Sequence, residues 1–259
     1  MDAADVDQFV AALVDRHTAS LERPALLKAI RALSARYVER RDALPGRSPL
    51  DSAGKRAAFA AYYAPQHFLL VGEMARHLTP ARPLDRLVDL GCGTGVSGAA
   101  WALALPSAPV LHGIDRSGWA LAEAAWTYRT LGLAGRVSRG DLVRAAARLE
   151  HQRSGDEPGR TGVLLAWSAN ELDPAAWRRL LSSLLHLGRR GAAVLVVEPV
   201  SRRAAPWWDD WAEAFGRAGG RQDECRFEHP RPASLAALDE AAGFARDSLV
   251  ARSVALNLT

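Results

Sequence analysis

Apolar residues recur at helical spacing through the first 80 residues of this 259-residue chain. The first stripe, three and four residues apart, consists of Val6, Phe9, Val10, Leu13 and Val14. A second helix opens at Pro24, Asp51 or Ser52 is placed to cap a third, and Pro65 opens a fourth over 66–78. The segment PGRSP, at 45–49, interrupts the pattern. We therefore predict that residues 1–80 form an N-terminal helical cap or lid.

Beyond Pro80 and Pro83 the pattern changes to short apolar runs that alternate with helical stretches. Strands are predicted within 84–90 and at 110–114, 137–139, 163–167 and 192–197, then near 225–227 and 249–256. Helices are predicted at 96–105, 117–131, 142–149, 174–187 and 234–242, with a further one beginning at Pro206. Such alternation is typical of an α/β protein with a parallel sheet. We expect this second domain to cover residues 81–259.

Composition narrows the class of protein but not its partner. Hydrophobic content of 49% and charged content of 24% are those of a soluble globular protein. The net charge is +4, and almost all of the positive charge is carried by arginine. The arginines form short clusters that are typical of solvated faces. The two cysteines, Cys92 and Cys225, form no C-x-x-C pair, which excludes a four-thiolate metal site within one chain. With no signal peptide or membrane span in the sequence, we expect a cytoplasmic protein.

The stretch LDRLVDLGCGTGVSG, residues 84–98, combines an apolar strand, a glycine turn and the start of a helix. Gly91, Gly93 and Gly95 lie in the turn. Glycine is required where the backbone takes a positive φ or where a Cβ would hold a ligand away. A turn of this kind brings backbone N–H groups and a helix N-terminus up to a ligand.

Two ligand classes fit this turn. Residues 93–98 match the dinucleotide fingerprint G-x-G-x-x-G, but that pattern wants its first glycine at the end of the strand. The glycine at the end of the strand is Gly91. Counted from Gly91, the G-x-G-x-x-G pattern fails because Val96 stands where its third glycine is required. Asp89 followed by alternating glycines closely resembles the first motif of class I S-adenosylmethionine-dependent methyltransferases. The carboxylate of Asp89 also suits a cationic ligand better than a pyrophosphate, because like charges repel.

Two further acidic residues follow predicted strands. Asp115 lies at the end of the second strand, where a carboxylate can accept hydrogen bonds from both hydroxyls of a ribose. Its alternative role is to cap the next helix, for which Ser117 is also available. Asp141 resembles the methyltransferase residue that faces the adenine amino group, and it can equally cap the helix from Leu142.

The resemblance implies a Rossmann-like methyltransferase sheet, mostly parallel with an antiparallel last strand, that binds S-adenosylmethionine. It places Asp89 near the amino-acid end of the cofactor. The cofactor-binding residues that it implies are Asp89, Gly91, Cys92, Gly93, Thr94, Gly95, Asp115, Arg116, Asp141, Leu142 and Trp167. No metal site is expected.

The acceptor side is predicted at the segment AWSANEL, which follows the fourth strand. Trp167 either packs on the sulfonium by cation–π attraction or closes the core. Asn170 and Glu171 either orient the nucleophile, with Glu171 as its base, or cap the next helix. His67, on the helix that leads into the domain, is a further candidate base or a structural residue. The segment departs from the Asn/Asp-Pro-Pro-aromatic motif of amino-group methyltransferases.

The fifth strand ends at Glu198, which is also expected to face the cleft. Three tryptophans follow at helical spacing and either wall a substrate pocket or belong to the core: Trp207, Trp208 and Trp211.

The whole chain also resembles the ribosomal small-subunit methyltransferase-like proteins, through the segments YVERR, FAAYYAP, WSANELDPAAWRRLL and VLVVEP. The cysteine cluster usual in that family is absent. We predict a methyltransferase that acts on an N, O or C atom of a small molecule or RNA, with S-adenosylhomocysteine as product. The alternatives are a ribosome- or RNA-associated assembly factor with little or no turnover and, from another class, an NAD-dependent oxidoreductase.

Overall fold

A computed structural model describes residues 3–19, 21–39, 50, 52–151, 158–203, 205–244 and 248–259. The chain forms two compact units, Met1–Leu70 with Arg226–Leu249 and Val71–Cys225 with Val250–Thr259. The first unit thus ends ten residues before the predicted boundary at 80 and includes a segment from near the C-terminus. The predicted break at 45–49, the alternative cap Asp51 and the last two residues of YVERR lie outside the described residues.

Ten α-helices are present in the described part of the chain. They are α1 Ala3–Thr18, α2 Arg23–Glu39, α3 Ala53–Ala58, α4 Ala64–Arg76, α5 Val96–Ala104, α6 Gly118–Thr130, α7 Leu142–Glu150, α8 Pro174–Arg189, α9 Trp208–Arg217 and α10 Ala233–Ala242. The first strands are β1 Arg86–Leu90, β2 Val110–Asp115, β3 Gly135–Arg139 and β4 Thr161–Ala166, followed by β5 Ala193–Glu198, β6 Arg221–Phe227 and β7 Leu249–Leu256.

The prediction that a separate helix begins at Pro65 is wrong. Helix α3 instead continues into α4 through one π-helical turn, Phe59–Tyr63, and the N–H of Ala64 donates to the carbonyl of Phe59. Proline lacks an N–H and its ring crowds the carbonyl four residues before it. A wide turn placed just ahead of Pro65 accommodates that ring without a break in the helix.

Helix α3 is capped by Ser52, one of the two predicted candidates. The Ser52 side chain accepts a hydrogen bond from the N–H of Lys55 at 3.3 Å. This bond satisfies one of the N–H groups that a helix leaves without a partner in its first turn.

A buried polar contact explains why α10 belongs to the first unit. The hydroxyl of Tyr62 donates to Asp239, which also pairs with Arg231. Both Tyr62 and Asp239 are buried. The guanidinium of Arg31 binds the last carbonyls of α10, at Ala241 and Ala242, at 3.0 and 3.1 Å. Charged and hydroxyl groups in such a place need partners, so these contacts bind the late segment to the N-terminal helices.

The second unit is built on a seven-stranded sheet of order β3-β2-β1-β4-β5-β7-β6. The β1–β2, β2–β3, β1–β4 and β4–β5 pairs are parallel, whereas β7 runs antiparallel to β5. The predicted fold class is therefore confirmed. Strand order reverses between β1 and β4, and in α/β folds ligands bind beside the carboxyl ends of the strands at such a point.

The tryptophans after the fifth strand belong to the core. Trp207, Trp208 and Trp211 are buried in the same apolar cluster as β5, and the rings of Trp207 and Trp211 lie 4.3 Å apart. Of the two roles that the sequence leaves open for them, the structure shows packing.

Candidate functional site

The glycine turn follows β1 directly and has the backbone conformation that the sequence predicts. Gly91, Gly93 and Gly95 have φ values of 72°, 51° and 76°, which side chains rarely tolerate. A Cβ on Gly95 would stand 2.8 Å from Tyr128 and 2.9 Å from Ala124 on α6. The turn is thus pressed against the following helix, and glycine is needed there for space as well as for conformation.

Asp115 ends β2 beside this turn. Its Oδ2 accepts a hydrogen bond from the N–H of Gly93 at 3.0 Å, and its Oδ1 accepts from the N–H of Ser117 at 2.8 Å. The helix cap that was the alternative role is taken by Ser117, whose hydroxyl accepts from Ala120 at 3.3 Å. The carboxylate of Asp115 is half-buried, and each oxygen retains a lone pair that can accept a further hydrogen bond.

Asp141 begins α7 next to the end of β2. Its Oδ1 accepts from the N–H of Arg144 at 2.9 Å, and its Oδ2 is paired with the guanidinium of Arg116. Partial burial alone would raise the pKa of this carboxyl, but the hydrogen bonds and charges of Arg116 and Arg144 outweigh it and lower the pKa. Asp141 is therefore an ionised, acceptor-only group at neutral pH, and it caps the helix as one of the two predicted roles requires.

Asp89 is only 1% exposed and acts inside the loop. Its Oδ2 accepts from the N–H of Gly98 at 3.1 Å, which holds the first turn of α5. Burial, with a smaller effect of the Asp115 charge, raises the pKa of Asp89 to about 7 despite that hydrogen bond. Asp89 is thus only partly ionised at neutral pH, although the predicted preference for a cationic ligand depends on its negative charge. Its role at the amino-acid end of the cofactor stays a prediction.

Both cysteines are free thiols whose pKa is raised. Burial and the charges of Asp89 and Asp115 raise the pKa of Cys92 well above its ordinary value. Burial and the charge of Glu73 raise the pKa of Cys225 to about 11. Neither thiol is ionised at neutral pH, which disfavours nucleophilic catalysis by either.

Two further predicted cofactor residues support the loop. Thr94 is buried and its carbonyl accepts from the hydroxyl of Thr127 at 2.8 Å. Leu142 is half-buried, and its Cδ2 lies 3.2 Å from the position that a Cβ on Gly91 would occupy. The turn is therefore walled by α6 on one side and by the start of α7 on another.

The segment after β4 lies against the glycine turn. Ser168 donates from its hydroxyl to the carbonyl of Leu90 at 3.0 Å, and its Cβ lies 2.6 Å from where a Cβ on Gly91 would stand. β4 ends at Ala166, one residue earlier than predicted, because Trp167 adopts a φ of 52°. A positive φ at a bulky residue is a rare, strained conformation, and such residues occur in tight turns and at ligand-binding sites.

Glu198 holds this segment from behind and was not among the predicted catalytic residues. It is fully buried, and it accepts from the N–H of Ala169 at 3.2 Å and from the side-chain amide of Asn170 at 3.4 Å. On β7 the residue opposite is Arg252, whose guanidinium lies 4.3 Å from the centre of the Trp208 ring. In the sequence, Glu198 is indicated by its place as an acidic residue at the end of the apolar run in VLVVEP. Nothing local to β7 indicates that Arg252 lies opposite Glu198.

The other two candidate catalytic residues are less defined. The backbone of Glu171 ends a short 3₁₀ turn, and its side chain lies outside the described part of the chain. His67 lies on α4 in the first unit, with its ring 5.9 Å from that of Phe59. Its surroundings desolvate the imidazole and lower its pKa to about 3, so the ring is neutral at physiological pH. The proposed catalytic roles of both residues, like that of Asn170, stay predictions.

A cluster of metal ligands and a membrane-spanning helix are both absent from the described residues. No group of three His, Cys, Asp or Glu side chains there is placed to hold a metal ion. No described helix has the length and apolar character needed to cross a bilayer.

The strand order, the antiparallel β7 and the glycine turn after β1 define a Rossmann-like fold of the class I methyltransferase type. A solved structure supports this: the O-methyltransferase NcsB1 from neocarzinostatin biosynthesis, in complex with S-adenosylmethionine and 2-hydroxy-5-methyl naphthoic acid. It is 16% identical, with a TM-score of 0.51 over 93% of this chain and 72% of that one. At that identity the likeness concerns the fold alone.

Sequence similarity points to methyltransferases too, over shorter segments. The ribosomal RNA large subunit methyltransferase G of Streptomyces avermitilis is 50% identical over 54 residues, which are 21% of this chain and 14% of the relative. Its counterpart in Streptomyces coelicolor is 40% identical over 94 residues, or 36% and 23% of the two chains. The chain thus matches less than a quarter of the length of these relatives. No family model matches the sequence.

Proposed function

We propose that this protein is an S-adenosylmethionine-dependent methyltransferase. The observation that carries the proposal is the contact between Asp115 and Gly93: the carboxylate at the end of β2 binds the N–H of the turn after β1. The contact holds a carboxylate beside the glycine turn, at the edge of the sheet where ligands of α/β folds bind, and this supports a role for Asp115 as acceptor for ribose hydroxyls. The methyltransferase fold and the similarity to ribosomal RNA methyltransferases support the same function.

The described residues suggest one orientation of the cofactor. The ribose would bind Asp115, and the adenine would extend toward Asp141 at the end of the neighbouring β3. The amino-acid end would then lie over the glycine turn near Asp89. Trp167, next to Ser168 and the turn, is in the right segment to pack on the cationic sulfur. This orientation would place the transferable methyl group in front of the β4 tip, residues 167–171.

Catalysis would consist mainly of positioning. Bound S-adenosylmethionine supplies an activated methyl group on a positively charged sulfur. The chain's own residues would align the acceptor with that group, exclude water and, where the acceptor loses a proton, accept it. Glu198 would fix the backbone of Ala169 and the side chain of Asn170, while Asn170 and Glu171 orient the nucleophile. The catalytic role of His67 stays a prediction, since an imidazole with a pKa of about 3 is a weak base.

The acceptor is an N, O or C atom of RNA or of a small molecule. The curated relatives are ribosomal RNA methyltransferases, and the net charge of +4 is compatible with RNA. Transfer of a radioactive methyl group from S-adenosylmethionine to purified ribosomal RNA, compared with transfer to a metabolite extract, distinguishes the two classes. We further propose a cytoplasmic location, on the basis of the two free thiols.

A second candidate function is an RNA-associated assembly factor that binds the cofactor with little or no turnover. The observation that favours it is the tip after β4, where Trp167-Ser168-Ala169 stands in place of an Asn/Asp-Pro-Pro-aromatic motif. Cofactor binding and salt-sensitive co-sedimentation with small ribosomal subunits, without methyl transfer to any substrate, would support it.

Calorimetry with S-adenosylhomocysteine, S-adenosylmethionine and NADH tests the proposal. We expect saturable binding of both sulfur nucleosides, no binding of NADH, and a loss of affinity in Asp115→Ala. The matched control is Asp85→Ala, because Asp85 precedes β1 at the opposite edge of the sheet and pairs there with Arg160. Binding of NADH alone would identify the oxidoreductase alternative, and binding of none of the three would overturn the proposal.

A further inference from the structure

We propose that Arg116 is a specificity-determining residue: by pairing with Asp141 it orients that carboxylate, and the oriented carboxylate selects a 6-aminopurine over a 6-oxopurine. The inference rests on the proposed function, since it concerns the base of the cofactor. The side chain of Arg116 packs in no core and begins no helix.

The backbone around the pair is held by contacts between two neighbouring turns. The N–H of Gly140 donates to the carbonyl of Asp115 at 2.9 Å. The guanidinium of Arg139 donates to the carbonyl of Arg116 at 3.1 Å. The turns after β2 and β3 are therefore tied together next to the ribose-binding candidate Asp115. A base attached to a ribose at Asp115, on the side away from β1, would meet Arg116 and Asp141 first.

The pair is unsuited to a purely structural role. The side chain of Arg116 is 70% exposed, and ion pairs this exposed contribute little to folding stability. The start of α7 does not need Arg116 either, because the other oxygen of Asp141 already caps the helix through the N–H of Arg144. What Arg116 does fix is the rotation of the carboxylate, by binding the oxygen that the cap leaves over.

The donor and acceptor inventory gives the selectivity. An ionised carboxylate only accepts hydrogen bonds, so Asp141 can bind the 6-amino group of adenine and repels the 6-carbonyl of hypoxanthine. A guanidinium only donates, so Arg116 on its own would attract that carbonyl. The ion pair engages Nη2 of Arg116 and keeps Asp141 in one orientation, and both effects favour the 6-amino base.

The test compares S-adenosylhomocysteine with S-inosylhomocysteine, its 6-oxo counterpart, by calorimetry. We expect wild type to prefer the 6-amino ligand by about tenfold, the ratio that one good hydrogen bond gives. In Arg116→Ala the ratio should fall to about threefold or less, and Arg116→Lys should restore part of it. Asp141→Asn should bring the ratio close to one, because its amide also donates. Asparagine caps helices as well as aspartate does, so this variant keeps α7.

Salt supplies an independent readout. An exposed pair is screened by ions, so the wild-type ratio should decrease from 50 mM to 500 mM salt while that of Arg116→Ala stays constant. A ratio unchanged by both substitutions, with S-adenosylhomocysteine still bound, would overturn the role of Arg116 and leave the proposed function intact. Failure of wild type to bind S-adenosylhomocysteine would overturn both.

Discussion

The two ends of the candidate site are built in different ways. At the proposed cofactor end, formed by the turns after β1, β2 and β3, Asp115 and Asp141 bind backbone N–H groups and stay partly accessible, and only Asp89 is buried. At the proposed acceptor end, formed by the tip of β4, the end of β5 and the start of β7, the organising carboxylate is the fully buried Glu198. Partly accessible groups are suited to bind a ligand, whereas a buried charge must first be neutralised by the protein itself.

This difference predicts opposite effects of substitutions at the two ends. Changes at the cofactor end should lower ligand affinity at little cost in stability, and changes at the acceptor end should lower stability first.

The largest effect is expected from Glu198→Ala. The substitution removes the acceptor of the Ala169 N–H and the carboxylate opposite buried Arg252. Both donors to Glu198, the Ala169 N–H and the Asn170 side-chain amide, lose a buried acceptor at about 1–3 kcal/mol each, or about 2–6 kcal/mol together. Urea unfolding should show a decrease of this size, and a smaller one in the isosteric Glu198→Gln, which keeps an acceptor oxygen. The control is Glu213→Ala on α9, an exposed residue paired with Arg217, for which a change within about 0.5 kcal/mol is expected. Equal stabilities of the two alanine variants would contradict the comparison.

Asp89 should make stability depend on pH. Its pKa is raised in the folded protein to about 7, so the folded state binds the proton more tightly than the unfolded chain does. Its favourable contribution is complete below about pH 4 and is lost as pH rises to about 7, by at most about 4 kcal/mol. Asp89→Asn lacks this titration, so the difference in unfolding free energy between variant and wild type should shift in favour of the variant over that range. A difference independent of pH would contradict the buried carboxyl.

Asp115→Ala should act on binding. Two hydrogen bonds from ribose hydroxyls to a charged acceptor would be lost, and about 1.5–3 kcal/mol corresponds to a 10- to 150-fold weaker affinity for S-adenosylhomocysteine. The free energy of unfolding should fall by about 1–2 kcal/mol, less than in Glu198→Ala, because the N–H groups of Gly93 and Ser117 lose a half-buried acceptor that water can partly replace. If the variant unfolded easily but bound normally, the assignment of Asp115 to the ligand would be wrong.

The smallest effect is expected from Ser168→Ala, at the junction of the two ends. The hydroxyl of Ser168 donates to the carbonyl of Leu90 at 3.0 Å, a contact that contributes about 1 kcal/mol. A decrease of this size in stability, with a less than threefold change in cofactor affinity, is the expected result. A change in affinity as large as that of Asp115→Ala would show that the two ends act as one.

The same comparison explains what could be predicted from the sequence. The glycine turn, Asp115 and Asp141 lie next to strand ends in continuous motifs, so their positions follow from spacing, as does the helix cap at Asp141. The contact of Asp115 with Gly93 and the pairing of Asp141 with Arg116 were not predicted. Glu198 and Arg252 meet only because β7 inserts beside β5, so the pairing depends on strand order, which no local pattern records. The continuation of the helix through Pro65 was missed for a related reason, since the π-turn that accommodates it has no residue signature of its own.

The most direct test of the central claim is a crystal structure with S-adenosylhomocysteine. The account predicts both ribose hydroxyls within hydrogen-bond distance of the Asp115 carboxylate, the glycine turn against the amino-acid end, and the purine beside Asp141. Density for the ligand at another surface, or Asp115 and Asp141 facing separate cavities, would contradict it.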